Sequence, residues 1–300
     1  MSEIRTVLGN ISQAEVGVVL PHEHIFCYSD YLYEMAGKDY LDKDAVFAYA
    51  VQHLGMLRDK HQLATFIDCT PINLGRDIPF LRRLSKKTGI HIICSTGFYH
   101  TEELLFRKPD AEHLSDFMVM DAMNTNAGII KCAVEEKTEF AEKLLRAAAM
   151  AQLRLGLPIV VHTNAKKENG LWALDILLSQ SVRPRAVTIS HLSDTDNMDY
   201  VKAVAAHGCY VGLDRHYAKK PAGYEEEKIR IIHDLCGAGY ADQLLLSHDA
   251  LFYNGFSSEI FTINPTPRFH CIFERILPEF PKELTKKFTV DNPLNMLKCR

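Results

Sequence analysis

The segment Val18-Val19-Leu20-Pro21-His22-Glu23-His24 is an apolar run that ends in two histidines one residue apart. Side chains at positions i and i+2 of an extended strand point to the same face. We therefore predict that His22 and His24 converge on one point while Glu23 points away from it. A pair of neutral imidazoles at the end of a buried strand can bind a divalent metal ion. Because the chain has 14 histidines, this pair alone does not establish a site.

Short apolar segments recur along the chain, and the stretches between them have helical periodicity. In Glu139–Leu155 and in 197–207, apolar residues recur three and four positions apart, as in a helix that buries one face. Strands that alternate with helices predict parallel βαβ units. The predicted strands cover residues 17–22, 64–68, 90–95, 127–133, 158–162, 186–191, 209–213 and 244–247.

Eight such units predict an α/β fold, a (β/α)8 TIM-like barrel that forms a single domain over residues 1–300. A chain of 300 residues could instead hold two ordinary domains, but its composition does not change between the halves. The alternative architecture is a doubly wound open sheet. That fold usually carries a glycine-rich phosphate-binding loop after its first strand, whereas this strand ends in His22-Glu23-His24.

Composition restricts the partners and the compartment. The net charge of −4 argues against nucleic-acid binding, which needs a basic face. No apolar run approaches the length of a membrane span, and residues 1–10 lack the apolar core of a signal peptide. The eight cysteines contain no CxxC pair and lie partly in apolar segments, which indicates buried thiols in a reducing compartment. We expect a cytoplasmic protein that binds neither nucleic acid nor a membrane.

Metal-ligating residue types follow several of the predicted strands. In a barrel, side chains from the carboxyl ends of different strands meet at one face. Four imidazoles and one carboxylate suit Zn, Mn, Co or Fe, and they exceed what one ion needs, so we predict two divalent ions. Taken singly, each histidine could be a hydrogen-bonded core residue and the aspartate a cap. The predicted ligands are His22, His24, Lys131, His162, His191 and Asp249.

Lys131 is the unusual member of this set, because it lies inside the buried-strand pattern Gly128-Ile129-Ile130-Lys131-Cys132-Ala133. A free ammonium there would be costly to desolvate. It could pair with an acid, or its head could reach outward to water. Burial also favours the neutral form of an amine, and a neutral amine can add CO2. The resulting carbamate is an anion with two oxygens that can bridge two metal ions.

The order of these residues resembles the phosphotriesterase family of the amidohydrolase superfamily. The resemblance covers nearly the whole chain and implies two divalent ions, usually zinc, with Lys131 carboxylated between them. His22, His24 and Asp249 would complete one site, and His162 and His191 the other. The flanking stretches that agree are Leu74-Gly75-Arg76-Asp77, Ser95-Thr96-Gly97-Phe98-Tyr99, His191-Leu192-Ser193-Asp194-Thr195-Asp196-Asn197, Val211-Gly212-Leu213-Asp214-Arg215 and Ser247-His248-Asp249.

Two ions predict a hydrolase in which a metal-bridging hydroxide attacks the substrate and Asp249 accepts the proton. By similarity to lactonases of the family, Tyr99 and Arg215 would border the pocket. Their alternatives are a packed aromatic ring and an ion pair with Asp214. Other polar residues in the matching stretches are expected to be structural: Asp194, Asp196 and Asn197 as caps of the following helix, Arg76 and Asp77 as framework, and His248 pointing away from Asp249.

The predicted substrate is a small lactone or ester, with phosphotriester hydrolysis as a side activity. The segment 250–267 is predicted to be a loop whose aromatic and apolar residues form a wall for an alkyl lactone, namely Phe252, Tyr253, Phe256, Phe261 and Ile263. Lys219, Lys220 and Arg268 leave a phosphorylated sugar lactone open as an alternative substrate. Preferred hydrolysis of a phosphotriester is the other alternative within this class. A metal-binding scaffold without turnover is the alternative of another class. A homodimer is the expected assembly.

Overall fold

The computed structural model describes residues 3–216, 224–256 and 269–298. Its strands are β1 Ile4–Thr6, β2 Gly9–Ile11, β3 Val18–Cys27, β4 Leu63–Asp68, β5 His91–Gly97, β6 Ile129–Val134, β7 Ile159–Thr163, β8 Val187–Ile189, β9 Tyr210–Leu213, β10 Leu244–Leu246 and β11 Leu251–Asn254. Its α-helices are α1 Asp30–Ala36, α2 Lys43–His61, α3 Ile78–Thr88, α4 Ala111–Thr125, α5 Glu139–Leu155, α6 Asn169–Ser179, α7 Met198–Ala206, α8 Tyr224–Gly237, α9 Lys282–Lys286 and α10 Asn292–Leu297. Two π-helical segments cover Ile272–Ile276 and Lys287–Asp291.

Nine parallel strands form a curled sheet with the order β10-β9-β8-β7-β6-β5-β4-β3-β11. The strands at the two ends of this order, β10 and β11, follow one another in the chain and together take the eighth position of a barrel. The intervening residues join the two ends, since Asp249 N donates to His22 O at 3.1 Å and His24 N donates to Ala250 O at 2.9 Å. The predicted α/β TIM-like barrel is therefore confirmed.

All eight predicted strands are present, and α5 covers the predicted range residue for residue. The prediction that the first strand stops at His22 is wrong, because β3 continues to Cys27. A short antiparallel hairpin, β1 with β2, precedes the barrel and was not predicted. The described residues include no helix that is both long and apolar enough to cross a membrane. Their seven cysteines are all free thiols.

The interpretation of 250–267 as a loop is also wrong in its first part. Residues 251–254 form β11, which pairs with β3. Phe252 and Tyr253 are buried in the core, because a strand that closes the barrel directs these rings against the surrounding helices and loops rather than into a substrate pocket. The remainder, with Phe261 and Ile263, lies outside the described residues, as do Lys219, Lys220 and Arg268.

The interior of the barrel is apolar at the amino ends of the strands and polar at their carboxyl ends. A buried cluster includes Val19, Ile129 and Val160 near the amino ends of their strands, together with Ile67 and Leu245 from two further strands. Because side chains alternate between the two faces of a strand, the residue two positions further on points into the same interior. Along a strand, this alternation leads from the buried apolar cluster to the polar side chains at the carboxyl end.

Candidate metal centre

The periodicity of the strands brings the predicted ligands into the barrel. Lys131 lies two positions after Ile129 in β6, and His162 lies two positions after Val160 in β7; Ile129 and Val160 belong to the buried apolar cluster. In β3 the interval from Val19 to His22 is three residues. An irregularity in the pairing of β3 with β4, between Leu20 and Glu23, accommodates the additional residue.

Six side chains meet at the carboxyl ends of the strands. The Nζ atom of Lys131 lies 2.7 Å from His22 Nε2, and His191 Nε2 lies 2.8 Å from His162 Nδ1. The Oδ1 atom of Asp249 lies 3.2 Å from His24 Nε2 and 3.6 Å from His22 Nε2. All six residues predicted as ligands are thus in one cluster.

The second nitrogen of each imidazole faces an oxygen outside this cluster. His191 Nδ1 and His22 Nδ1 lie 2.6 Å and 2.8 Å from the two carboxylate oxygens of Asp214. His162 Nε2 lies 2.6 Å from Glu135 Oε1, and His24 Nδ1 lies 2.9 Å from Thr70 Oγ1. A histidine that binds a metal through one nitrogen almost always donates its other N–H in this way. The inward atoms are therefore His22 Nε2, His24 Nε2, His162 Nδ1 and His191 Nε2.

Electrostatics keep His22 and His191 in the neutral form that binds metal. Burial, reinforced by the charge of Lys131, lowers the pKa of His22 to about 4, and burial lowers the pKa of His191 to about 3. Burial opposes ionisation of Asp214 and Asp249, but the surrounding histidines outweigh it and hold the pKa of both carboxyls well below the usual value. At neutral pH His22 and His191 therefore present neutral nitrogens, and Asp214 and Asp249 are anionic carboxylates.

This donor set fits two divalent cations. Lys131 is 1 % exposed, so its head does not reach outward to water, and its Nζ faces an imidazole nitrogen. Lys131 Nζ with His22 Nε2, and His191 Nε2 with His162 Nδ1, are close enough for each pair to contact a common ion. Nitrogen and carboxylate donors suit zinc and its neighbours in the first transition row.

Two of the six clustered residues, and the neighbouring Arg215, have an unusual backbone conformation. His191, Arg215 and Asp249 have φ angles of 67°, 73° and 50°, in the left-handed region that residues with a side chain rarely adopt. Such conformations cost about 1–3 kcal/mol each and cluster at functional sites. Each of the three lies two or three residues after the end of a short barrel strand (β8, β9 or β10), where the chain leaves the sheet.

Glu23, the residue between the two histidines, points away from them as predicted and forms hydrogen bonds of its own. It is fully buried and its carboxylate accepts from Ser247 Oγ, His248 N and Ala250 N, while His248 Nδ1 lies 2.7 Å from Oε1. These bonds fix residues 247–250 and so hold Asp249 in place. His248 points away from Asp249, as predicted, and its Nε2 accepts from Ile272 N at 3.2 Å.

Arg215 does not form the ion pair with Asp214 that was its alternative interpretation. Both oxygens of Asp214 face histidines, so Arg215 instead donates from Nε to Asp249 Oδ2 at 2.9 Å and pairs with Asp194 Oδ2 at 2.6 Å. The assignment of Asp194 as a helix cap is therefore wrong. Asn197 does cap α7, accepting from Tyr200 N.

Tyr99 lies beside the candidate metal centre, with its ring 5.4 Å from the ring of His162 in an edge-on arrangement. It also lines a cleft of 1140 Å³ that opens above β3, β5 and α4. Phe256 borders this cleft as predicted, whereas Phe252 and Tyr253 do not. The apolar side chains that line the cleft include Phe98, Leu105, Phe106, Phe117, Met120 and Leu251.

The framework residues behave as the sequence suggested. Arg76 forms a two-pronged ion pair with Asp121, at 2.6 Å and 2.8 Å, and Asp77 caps α3 through Phe80 N. Reasoning from sequence missed Asp214, Glu135 and Thr70, which hold the outer imidazole nitrogens. Their signal was available, since Asp214 and Glu135 each directly follow a barrel strand.

A parallel barrel with imidazole, amine and carboxylate groups at the carboxyl ends of its strands defines an α/β-barrel protein equipped to hold two cations. The sequence profile of the Phosphotriesterase family matches residues 2–296. The chain therefore belongs to the phosphotriesterase family, whose proteins are binuclear metal hydrolases.

Individual relatives agree with this assignment. The chain is 31 % identical to the phosphotriesterase homology protein of Mycobacterium tuberculosis, over 98 % of this chain and 97 % of the relative. It is 33 % identical to the aryldialkylphosphatase of Saccharolobus solfataricus, over 80 % and 79 %. It is 26 % identical to the N-acetyltaurine hydrolase of Homo sapiens, over 94 % and 97 %.

Proposed function

We propose that this protein is a lactonase that uses two divalent metal ions, most suitably zinc, with Lys131 carboxylated between them. His22, His24 and Asp249 would hold one ion and His162 and His191 the other. The observation that carries the proposal is the convergence of four inward imidazole nitrogens, Lys131 Nζ and Asp249 on one point. Ions bound there would make a shared water acidic and polarise the carbonyl oxygen of an ester.

Asp249 is the residue that moves the proton. One of its oxygens faces His24, and the other accepts from Arg215 Nε. A carboxylate in this position can take the proton of the attacking water and deliver it to the leaving alkoxide as the ring opens. Arg215, itself paired with Asp194, holds this carboxylate in its orientation. Asp249→Asn should strongly reduce turnover, with only a small change in the free energy of unfolding.

The cleft favours a substrate with one apolar tail. Tyr99 lines the cleft and its ring lies beside that of His162, which supports a contact between its hydroxyl and an oxygen of the substrate. A lactone carbonyl is planar and becomes a tetrahedral oxyanion, which hydrogen-bond donors near the centre stabilise as it forms. A phosphotriester is already tetrahedral and needs room for three substituents. A single cleft of 1140 Å³ lined by Leu105, Phe117 and Met120 suits an alkyl chain better.

The test is a substrate panel on zinc- and manganese-loaded protein. It contains alkyl lactones, an aryl dialkyl phosphate, a sugar-lactone phosphate and N-acetyltaurine, because two relatives are named for the second and fourth chemistries. We expect kcat/KM for the best lactone to exceed that for the phosphotriester by at least ~100-fold, about 2.7 kcal/mol in transition-state binding. Tyr99→Phe should reduce lactone turnover more than phosphotriester turnover.

A preference for the phosphotriester or for the amide would overturn the lactonase assignment and leave the metal centre intact. Metal-replete protein with no turnover on any member of the panel would favour the scaffold alternative instead.

A further inference from the structure

A second cluster of metal-ligating side chains lies away from the proposed active site. It consists of His61, the last residue of α2, together with His270 and Glu274. Because α2 ends just before β4 begins at Leu63, this cluster lies near the amino ends of the strands. The ligands around Lys131 lie at the opposite end of the barrel. The two clusters share no residue, although Ile272, between His270 and Glu274, donates its N–H to His248 beside Asp249.

The geometry of this second cluster is that of an unfilled coordination site. Glu274 Oε1 lies 3.8 Å from His61 Nε2 and 3.8 Å from His270 Nδ1. Both distances are too long for hydrogen bonds. Both nitrogen atoms are nevertheless buried, and within the described part of the chain neither has a hydrogen-bond partner. Buried polar atoms without partners are uncommon and require an explanation such as an ion.

The three side chains are also held in position. The His61 ring stacks on Phe273, with ring centroids 4.6 Å apart and an interplanar angle of 9°. His270 and Glu274 are four residues apart and extend toward the same point. Burial lowers the pKa of both histidines, which favours the neutral imidazole that a metal needs.

We propose that His61, His270 and Glu274 bind a divalent cation of the zinc type, with a water as the fourth ligand. Two imidazoles and one carboxylate are a known zinc donor set. In a tetrahedral site with bonds of roughly 2.0–2.2 Å the ligand atoms are about 3.3 Å apart, so the observed 3.8 Å needs to shorten by only a few tenths of an ångström. Such an ion would connect the end of α2 to the segment 270–274, and its role would be structural.

The first experiment counts zinc. Protein is loaded with zinc, freed of excess metal by gel filtration, and analysed by elemental mass spectrometry. Glu274→Gln keeps the shape of a half-exposed side chain and removes its charge, so the fold is not at risk. His61→Gln removes a nitrogen ligand. The matched control is His113→Gln, which alters an exposed histidine on α4 that pairs with Asp110.

We expect both cluster variants to hold one zinc ion fewer per chain than wild type and the control, with kcat/KM on the best substrate unchanged within twofold. Repeating the count in a Lys131→Ala background distinguishes this site from the active site. Any zinc that the Lys131→Ala protein still binds should be lost when His61→Gln is added. Equal zinc content in wild type and both cluster variants would overturn the proposal. So would a loss of activity parallel to the loss of zinc, since the variants would then be reporting the active site.

A second measurement uses cobalt in place of zinc. Subtracting the visible d–d spectrum of cobalt-loaded Glu274→Gln from that of wild type should give the bands of one nitrogen- and oxygen-coordinated ion. The same subtraction with His113→Gln should give none. A flat difference spectrum for Glu274→Gln would contradict the proposal.

Discussion

Asp214 is the residue on which two of the proposed metal ligands depend. Its two oxygens face His22 Nδ1 and His191 Nδ1, and it also accepts from His191 N at 2.8 Å. Asp214→Asn keeps the size of the side chain but replaces one acceptor oxygen by an NH2 donor. One imidazole N–H would then face a donor and would have to turn or change its tautomer. Its inward nitrogen would no longer be presented to the metal.

The expected magnitude follows from the contact with an outer imidazole nitrogen that this substitution disrupts. Without its outer partner, a metal-ligating histidine typically binds metal 10–100-fold more weakly. Because only one of the two imidazoles keeps an acceptor, we expect zinc affinity to fall by ~10–100-fold, which is about 1.4–2.7 kcal/mol.

The assay is a competition titration of zinc between the protein and a chromogenic chelator. Asp77→Asn is the control, because Asp77 is an aspartate that caps α3 and pairs with Lys43 rather than with one of the clustered histidines. That variant should bind zinc as wild type does. Equal zinc affinity in Asp214→Asn and wild type would refute the reasoning, and so would an equal loss in Asp77→Asn.

Three further results are expected. Lys131→Ala should lose metal and activity, whereas Lys131→Glu should retain more of both, since it restores an anionic oxygen donor; equal activity of Lys131→Ala and wild type in metal-replete buffer would exclude the carbamate. Burial lowers the pKa of His248 to about 3, below the 6.5 expected in the unfolded chain. As pH falls below about 6.5, the unfolded chain therefore binds a proton at this histidine that the folded protein does not, and the folded protein loses stability. Urea unfolding of metal-stripped protein should therefore show that the fall in unfolding free energy from about pH 7 to about pH 5 is about 2 kcal/mol smaller in His248→Asn than in wild type; identical pH dependence would show that His248 is not buried neutral. Glu23→Gln should lower the free energy of unfolding by about 1–3 kcal/mol, because one of four donors then lacks its acceptor, and should slow turnover by releasing Asp249; chemical denaturation and steady-state kinetics together check this, and a change in neither would contradict the role of Glu23.

Much of the architecture followed from local patterns. The alternation of apolar strands and amphipathic helices was sufficient for the eight barrel strands and for α5, because buried parallel strands and one-sided helices differ in periodicity. The convergence of the six candidate ligands was also predictable, since their position relative to the strands places them at one end of the barrel.

The rest depended on long-range contacts that a single sequence does not display. β3 extends past His22 because its polar residues are satisfied by partners more than 200 positions away, such as Ser247 and Ala250. β11 exists because it closes the barrel against β3, and nothing in its own composition required that. The pairing of Arg215 with Asp194 rather than Asp214 likewise depends on the histidines that occupy Asp214.

The central claim is that the converging imidazoles, Lys131 and Asp249 hold two metal ions. The most direct test is diffraction from zinc-grown crystals at the zinc absorption edge. We expect two anomalous peaks at the carboxyl ends of the barrel strands, one beside His24 and one beside His162, with carbamate density on Lys131 between them. A single peak or none there, with an unmodified Lys131 amine, would contradict the claim.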